Sequence, residues 1–217
     1  MMLERMSEFF DCRIEGYEEH MLDCIEGARE FYPFTASLLP TKTGARVLDL
    51  GCGTGLELDE FFALNPSARV TGIDLAPRML ARLREKFPDK ELELIEGSYF
   101  ELELGDGIYD AAVSVESLHH FTKREKTFLY SRLHRALLDG GYFILTDYFA
   151  ETDALERSLR EDYLRLLSEQ GIADGEFYHY DTPLTVAHET EALLEAGFSS
   201  VKILGSWSAT YTLKAIK

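Results

Sequence analysis

The stretch Val47-Leu48-Asp49-Leu50-Gly51-Cys52-Gly53-Thr54-Gly55 sends an apolar strand directly into three alternating glycines. Side chains at Gly51, Gly53 and Gly55 would block either a tight strand-to-helix turn or the approach of a ligand to the main chain. Position 56 is Leu, so the run is GxGxG and lacks the last glycine of the GxGxxG of a dinucleotide fold. Leu58, Phe61 and Phe62 follow at helical spacing, which puts the loop at a helix N-terminus whose free N–H groups favour a carboxylate or other anion. Further on, Val70-Thr71-Gly72-Ile73-Asp74 ends a second strand with an acid, where βαβ nucleotide sites read ribose hydroxyls.

Outward from this unit the pattern alternates. Strands are expected near 46–50, 69–74, 91–96, 108–115 and 141–148, with helices near 56–64, 77–87, 123–138 and 153–170. Apolar strands separated by helices imply a parallel sheet covered on both faces. Pro77 suits the first turn of its helix, and Gly140-Gly141 is expected to end the helix before the fifth strand. The first 40 or so residues read as helical, with Met21, Leu22, Ile25 and Ala28 on one face and a dense set of aromatics that includes Phe9, Phe10 and Tyr17. Beyond 170, a loop with Gly171, Gly175 and Pro183 leads to a helix over about 186–196, ended by Gly197. Two β-rich runs follow at 199–206 and 209–216, and their closeness around Gly205-Ser206-Trp207 permits only antiparallel pairing.

The sequence resembles the class I S-adenosylmethionine-dependent methyltransferases through VLDLGCGTG (47–55), GIDLAPRML (72–80), GSYFEL (97–102), YDAAVSVESLHHF (109–121) and LLDGGYFILTDYF (137–149), in the family's order and spacing. The resemblance implies an α/β fold: a seven-stranded, mostly parallel sheet of order 3-2-1-4-5-7-6, last strand antiparallel, with helices on both faces and an N-terminal helical cap. It implies one domain over 1–217, made of the cap (1–40), a cofactor-binding core (41–150) and C-terminal helices with an antiparallel hairpin (151–217).

Composition narrows the partners. The 217 residues carry 39 acidic and 22 basic side chains, a net charge of −17 that repels phosphate backbones and ranks nucleic acid below a small-molecule substrate. Lys123-Arg124 with Lys126 could form a basic patch, although such a group more often marks the solvated start of a helix. Cys12, Cys24 and Cys52 make no metal pair or disulfide framework by spacing, which suits a reduced cytoplasmic setting. The start of the chain lacks the pattern of a secretory leader, and no apolar run approaches membrane-spanning length. A monomer or homodimer is expected.

The resemblance implies S-adenosylmethionine as cofactor, and each candidate residue has a physical reason. Gly51, Cys52, Gly53, Thr54 and Gly55 form the loop facing the methionine part, Asp49 balances its amino group, and Asp74 accepts hydrogen bonds from the ribose hydroxyls. Leu75 and Met79 are expected to wall the adenine slot, with plain helix core as the alternative for Met79. Gly97, Ser98 and Tyr99 follow the third strand, with Ser98 where the family often has Asp and Tyr99 available to pack on the adenine. Ala76 stands where the family often has Ser or Thr, which removes a helix cap. Tyr17, after Phe10-Asp11, is similar in place to a cap tyrosine over the cofactor and offers a cation–π contact to a sulfonium; ordinary helix packing is the alternative.

Glu116-Ser117-Leu118-His119-His120-Phe121 lies at the carboxyl end of a central strand, where α/β sheets hold their ligands, and Glu116 is placed at the cofactor. His120 and His119 are the candidate catalytic bases, with Tyr148 and Asp147 behind them; bracing of the loop is the alternative for at least one histidine. No metal is expected, because two consecutive histidines have no further ligand at metal spacing in the sequence. No Asn/Asp-Pro-Pro-Tyr sequence follows the fourth strand, which lowers nucleobase amino methylation. Tyr178, His179, Tyr180 and Trp207 are candidates to line an acceptor pocket. The expected activity is in-line methyl transfer to a small or medium-sized molecule with release of S-adenosylhomocysteine. Its rivals are a binding module or an enzyme that modifies the cofactor itself and, below these, an NAD-dependent oxidoreductase.

Overall fold

In a computed structural model, which describes residues 2–172 and 176–217, the strands are β1 (Arg46–Leu50), β2 (Arg69–Asp74), β3 (Glu91–Glu96), β4 (Tyr109–Val115), β5 (Leu137–Tyr148), β6 (Ser200–Trp207) and β7 (Thr210–Ile216). They form one sheet in the order β3-β2-β1-β4-β5-β7-β6. β1 through β5 pair in parallel, whereas β7 runs antiparallel to both β5 and β6. β1 and β4 lie centrally and are buried along nearly their whole length, which is why they read as continuous apolar runs.

Helices cover both faces. α3 (Ala28–Ser37), α4 (Leu56–Leu64) and α5 (Pro77–Lys86) pack Phe31, Phe61, Phe62 and Leu83 against one face. α6 (Lys123–Ala136) and α8 (Val186–Glu195) pack Leu129, Tyr130, Leu133 and Leu193 against the other. α1 (Met6–Cys12), α2 (Tyr17–Cys24) and α7 (Asp153–Glu169) complete the helices. Pro77 stands in the first turn of α5, as expected.

Several local expectations change. The N-terminal 40 residues are three short helices broken at Gly16 and Gly27, both with φ of 80°, so Met21, Ile25 and Ala28 do not share one helical face. A Cβ on Gly27 would fall 2.4 Å from the Cβ of Trp207, so this glycine serves close packing as well as the turn. Gly140-Gly141 does not end a helix. α6 stops at Ala136, and the two glycines lie inside β5, within the register shift between Leu137 and Tyr142 against β4. Gly140 takes φ of 77°, and a Cβ on Gly141 would meet the Leu138 carbonyl at 2.8 Å, so the pair forms an irregularity in the strand. The hairpin turns at Ser208 and Ala209, with Ser208 at φ 52°, while Trp207 remains in β6 and packs on Phe31 and Phe34. Gly175 lies outside the described residues.

Ala76 does not leave α5 uncapped. Asp11 of α1 accepts the Arg78 N–H at 3.0 Å through Oδ1, and its carbonyl accepts from the Arg78 guanidinium at 2.7 Å. The missing local cap is thus supplied from the N-terminal segment, which ties that segment over the sheet's carboxyl end.

Two members of the basic cluster at the start of α6, Lys123 and Lys126, are paired with acids. Lys123 reaches Glu191 and Glu195 at 2.9 Å, and Lys126 is buried against Glu189 at 2.6 Å, where Tyr130 also donates to Glu189. Removing one partner of this buried pair leaves an uncompensated charge. Lys126→Met should therefore destabilise the protein by about 3–5 kcal/mol, and adding Glu189→Met should recover most of that loss. Urea unfolding midpoints test this; a neutral single substitution would show that the pair does not hold α6 to α8.

Candidate active site

The three glycines of the loop do different work. Gly51, Gly53 and Gly55 all have positive φ, at 74°, 47° and 73°. A Cβ on Gly51 would fall 1.9 Å from Ser117 Oγ, and one on Gly55 would fall 2.4 Å from Leu83 Cδ1. These two are required by packing. Gly53 is different, because a Cβ there meets only the Tyr17 hydroxyl, at 4.0 Å. Its open face is where a ligand can approach the backbone. Cys52 turns the other way, toward Gly72, where an added Cβ would lie 2.7 Å from its sulfur.

Main-chain hydrogen bonds fasten the loop to β2. Gly51 and Cys52 both donate to the Ile73 carbonyl, at 2.8 and 3.2 Å, and Gly53 donates to Asp74 Oδ2 at 2.8 Å. Asp74 Oδ1 accepts from Ala76 N at 2.8 Å, which leaves each carboxylate oxygen one further acceptor position. Burial lifts the Asp74 carboxyl above its ordinary value, and the bonds from Ala76 and Gly53 oppose that rise.

Beneath the loop lies a group of buried polar atoms. Both carboxylate oxygens of Asp49, Thr54 Oγ1 and Glu57 Oε1 are buried with no N–H or hydroxyl donor facing them, and the Asp49 and Glu57 carboxyls have only each other as side-chain partners. Burial, and then the neighbouring Glu57 charge, drive Asp49 well above its ordinary value; Glu57 is raised by burial too. Two buried acids and a hydroxyl beside a glycine loop are a donor-hungry set, suited chemically to an ammonium group.

The adjoining cleft is bordered by Gly51, Gly53, Asp74, Leu75, Met79, Tyr99, Glu116 and His120, with Met6, Phe10 and Tyr17 closing it from the cap; its volume is about 50 Å³. Gly97 donates to the Asp74 carbonyl at 2.9 Å, which sets the path after β3. Ser98 is buried and its Oγ accepts from Phe100 N at 3.2 Å, while the Tyr99 hydroxyl lies 3.3 Å from Ser117 Oγ.

A larger cavity of about 770 Å³ adjoins this cleft, sharing Phe10, Tyr17, Glu116 and His120 with it and adding His119, Tyr148, His179 and Asp181. At its junction Glu116 adopts φ of 48°, a strained conformation for a non-glycine residue, and accepts from Thr210 Oγ1 at 3.1 Å. Burial, then Asp147, lift Glu116 to about 7. His119 Nδ1 lies 2.6 Å from Asp147 Oδ1, and the other Asp147 oxygen accepts from Leu118 N at 3.0 Å. Burial opposes charge on His119, yet Asp147 and Asp181 outweigh it and hold the imidazole well above its ordinary value. Burial and the His119 charge push His120 well below it.

Residues 179–182 reach this loop from far along the chain. Thr182 donates to the carbonyls of both His119 and His120, at 2.9 and 3.0 Å, and His179 N donates to the Glu4 carbonyl at 3.0 Å. Of Tyr178, His179, Tyr180 and Trp207, only His179 borders the larger cavity. Tyr178 bridges to Arg5, Tyr180 stacks on Tyr163, and Trp207 packs against α3 with its Nε1 donating to Glu30 at 2.9 Å. Glu57, Ser117 and Asp181 were not singled out in the sequence. Only Glu57 left a signal there, as an acid between Leu56 and Leu58 directly after the glycine loop.

Residues 47–141 match the model of a methyltransferase domain. Over that segment the chain is similar to the class I S-adenosylmethionine-dependent methyltransferases. An uncharacterized methyltransferase of Geobacillus kaustophilus is 26% identical over 186 residues, covering 85% of this chain and 82% of the relative. The carboxy-S-adenosyl-L-methionine synthase of Chromohalobacter salexigens is 31% identical over 174 residues, covering 74% and 64%. Among solved structures, an S-adenosylmethionine-dependent methyltransferase from Mesorhizobium loti shares the fold with a TM-score of 0.62 at 23% identity, covering 85% of this chain and 96% of that one. The chain spans about half the length of the first curated relatives it matches. The sheet order and glycine loop are those that the resemblance to the class I methyltransferases implied, and the cofactor of that family is S-adenosylmethionine. No helix among the described residues is long and apolar enough to cross a membrane.

The buried acids of this methyltransferase fold have a measurable cost. Replacing Asp49 with Asn keeps its shape and removes its charge, which should stabilise the ligand-free protein by about 1–2 kcal/mol at neutral pH. Both Asp49 and Glu57 titrate higher in the folded than in the unfolded chain. Their destabilising effect is therefore absent below the ordinary carboxylate range, ~4, and builds as pH rises from there to the raised folded values. Wild-type stability should fall over that rise and that of Asp49→Asn should fall less; urea unfolding across the range, with equal slopes for the two proteins, would refute this.

Proposed function

We propose that this protein transfers the methyl group of S-adenosylmethionine to a small molecule held in the larger cavity, releasing S-adenosylhomocysteine. The observation that carries the reading is the buried set of Asp49, Thr54 and Glu57, faced by no donor, beside the open face of Gly53. An amino acid-bearing nucleoside satisfies it in a way a pyrophosphate does not, because the set needs a cation. Asp49 and Glu57 would hold the amino group, the main chain at Gly53 would meet the methionine part, and Asp74 would take the ribose hydroxyls on its two spare acceptor positions. Leu75, Met79 and Tyr99 would flank the adenine, with Gly97 and Ser98 setting the turn that places Tyr99. The remaining loop residues act indirectly: Gly51, Cys52 and Gly55 through packing, Thr54 from beneath.

When bound, S-adenosylmethionine supplies an already activated methyl group on a sulfonium. The chain's task is therefore alignment and exclusion of water. Tyr17 and Phe10 form the aromatic wall shared by both cavities, which places Tyr17 to stabilise a sulfonium by cation–π contact. Glu116 and His120 border both spaces, and His119 borders the larger one, so these are the side chains that would touch the acceptor near its reacting atom. The cleft of about 50 Å³ is smaller than the roughly 300 Å³ or more of a small-molecule site, and it shares Phe10 and Tyr17 of the cap with the larger cavity.

Asp74→Ala should weaken S-adenosylmethionine binding by about 1.5–3 kcal/mol, read by calorimetric titration after thermal melting has established that the variant folds. Undiminished affinity would remove Asp74 from the site. For turnover, methyl-labelled cofactor is incubated with metabolite pools. Labelled acceptor with equal release of S-adenosylhomocysteine supports the proposal, whereas cofactor consumed without that product would move the protein to the class that modifies the cofactor itself. His120→Ala should abolish turnover with cofactor affinity retained; unchanged turnover would leave His120 a bracing residue.

A further inference from the structure

The expectation of no metal rested on the sequence spacing of His119 and His120, and the fold changes its premise. The segment pinned by Thr182 delivers Asp181 and His179 to the same point. Asp181 Oδ1 lies 3.3 Å from His120 Nδ1, 3.5 Å from His119 Nε2 and 4.0 Å from His179 Nε2. That oxygen is shielded from solvent and makes no hydrogen bond with any of them. Ligand atoms of His119, His120 and Asp181 all lie within 4.8 Å of one another.

These separations have a chemical meaning. Ligands at about 2.0–2.1 Å from a tetrahedral zinc ion stand ~3.3 Å apart, which is long for a hydrogen bond and close to what His119, His120 and Asp181 present. The outer partner is present as well. Asp147 Oδ1 lies 2.6 Å from His119 Nδ1 and is itself held by the backbone N–H of Tyr148 at 3.0 Å. A carboxylate on the far ring nitrogen fixes the tautomer that leaves Nε2 as a ligand, the arrangement found behind metal-binding histidines. His120 Nδ1 also faces the Tyr180 carbonyl at 3.2 Å, so metal entry displaces the proton shared there.

We propose that His119, His120 and Asp181 form a binding site for one divalent transition-metal ion of the zinc type, with His179 beside it and an open coordination position toward the 770 Å³ cavity. Two imidazoles and one carboxylate with a vacant position are the donor set of a catalytic rather than a structural site. If the methyl-transfer reading holds, an oxygen or nitrogen of the acceptor would occupy that position and become more acidic there.

The test needs neither cofactor nor acceptor. The full chain is stripped with a chelator, dialysed, and titrated with Zn²⁺ alone by calorimetry and with Co²⁺ alone by visible absorption. One ion per chain should bind, with the intense ligand-field bands of low-coordinate cobalt. Asp181→Asn, at a partly exposed position, should weaken binding at least a hundredfold without unfolding the protein, and Asp147→Asn should weaken it by about ten- to a hundredfold at unchanged stoichiometry. His188→Ala, remote from the cluster, should leave binding as in the wild type. No stoichiometric binding by the wild type, or binding that survives Asp181→Asn intact, overturns the proposal. A protein that binds the ion but transfers no methyl group would refute the methyl-transfer reading and leave this site standing.

Discussion

The Ile73 carbonyl accepts hydrogen bonds from two successive residues of the glycine loop, Gly51 and Cys52, and the site end of the molecule is organised around that junction. At the carboxyl end of a parallel strand the main chain must turn away while its N–H groups still find acceptors. Bending the loop onto β2 satisfies them, and the consequences spread outward. Cys52 drops onto Gly72, Gly51 closes against Ser117 of the β4 loop, and Gly53 is left with its N–H on Asp74 and an open face toward Tyr17. One backbone constraint thus positions groups from β1, β2, β4 and the N-terminal cap together.

Charge is arranged around this junction in two unlike halves. On one side Asp49 and Glu57 are buried without donors, an arrangement that costs stability and is sustained by the apolar packing of the two sheet faces. On the other, three imidazoles surround one carboxylate and a second carboxylate stands behind His119. Tyr17, Glu116 and His120 form the boundary, and the strained backbone of Glu116 lies on it. A chain with net charge −17 has no shortage of acids; what distinguishes Asp49, Glu57 and Asp147 is that they are buried.

The cap shows how a locally weak sequence becomes ordered through distant partners. Ala76 offers α5 no side-chain cap, and Asp11 supplies it across 67 residues of chain separation. Gly27 gives room for Trp207 of the hairpin, so the same few residues tie the N-terminal segment to both ends of the sheet. These contacts hold α1 and α2 over the cleft while Gly16 leaves the joint between them open, since a side chain there would meet nothing.

Strand and helix order and the glycine loop followed by an acid were legible in the sequence, because each rests on short-range rules: period-two and period-3.6 burial, positive φ at glycine, an acid at the end of β2; the sheet order was legible only through the family resemblance. The same rules misread Gly140-Gly141 as a helix end, because a strand bulge and a helix terminus demand the same backbone freedom. They also misplaced the hairpin turn, since Gly205 marks an irregularity in β6 and Ser208 makes the turn without glycine. What only the tertiary structure decided is the histidine cluster. Asp181 and His179 carry no local signal that relates them to His119 and His120 some 60 residues earlier. Their meeting depends on Thr182 bonding the two histidine carbonyls and on the N-terminal segment pairing with residues 176–180, long-range contacts that no periodicity encodes.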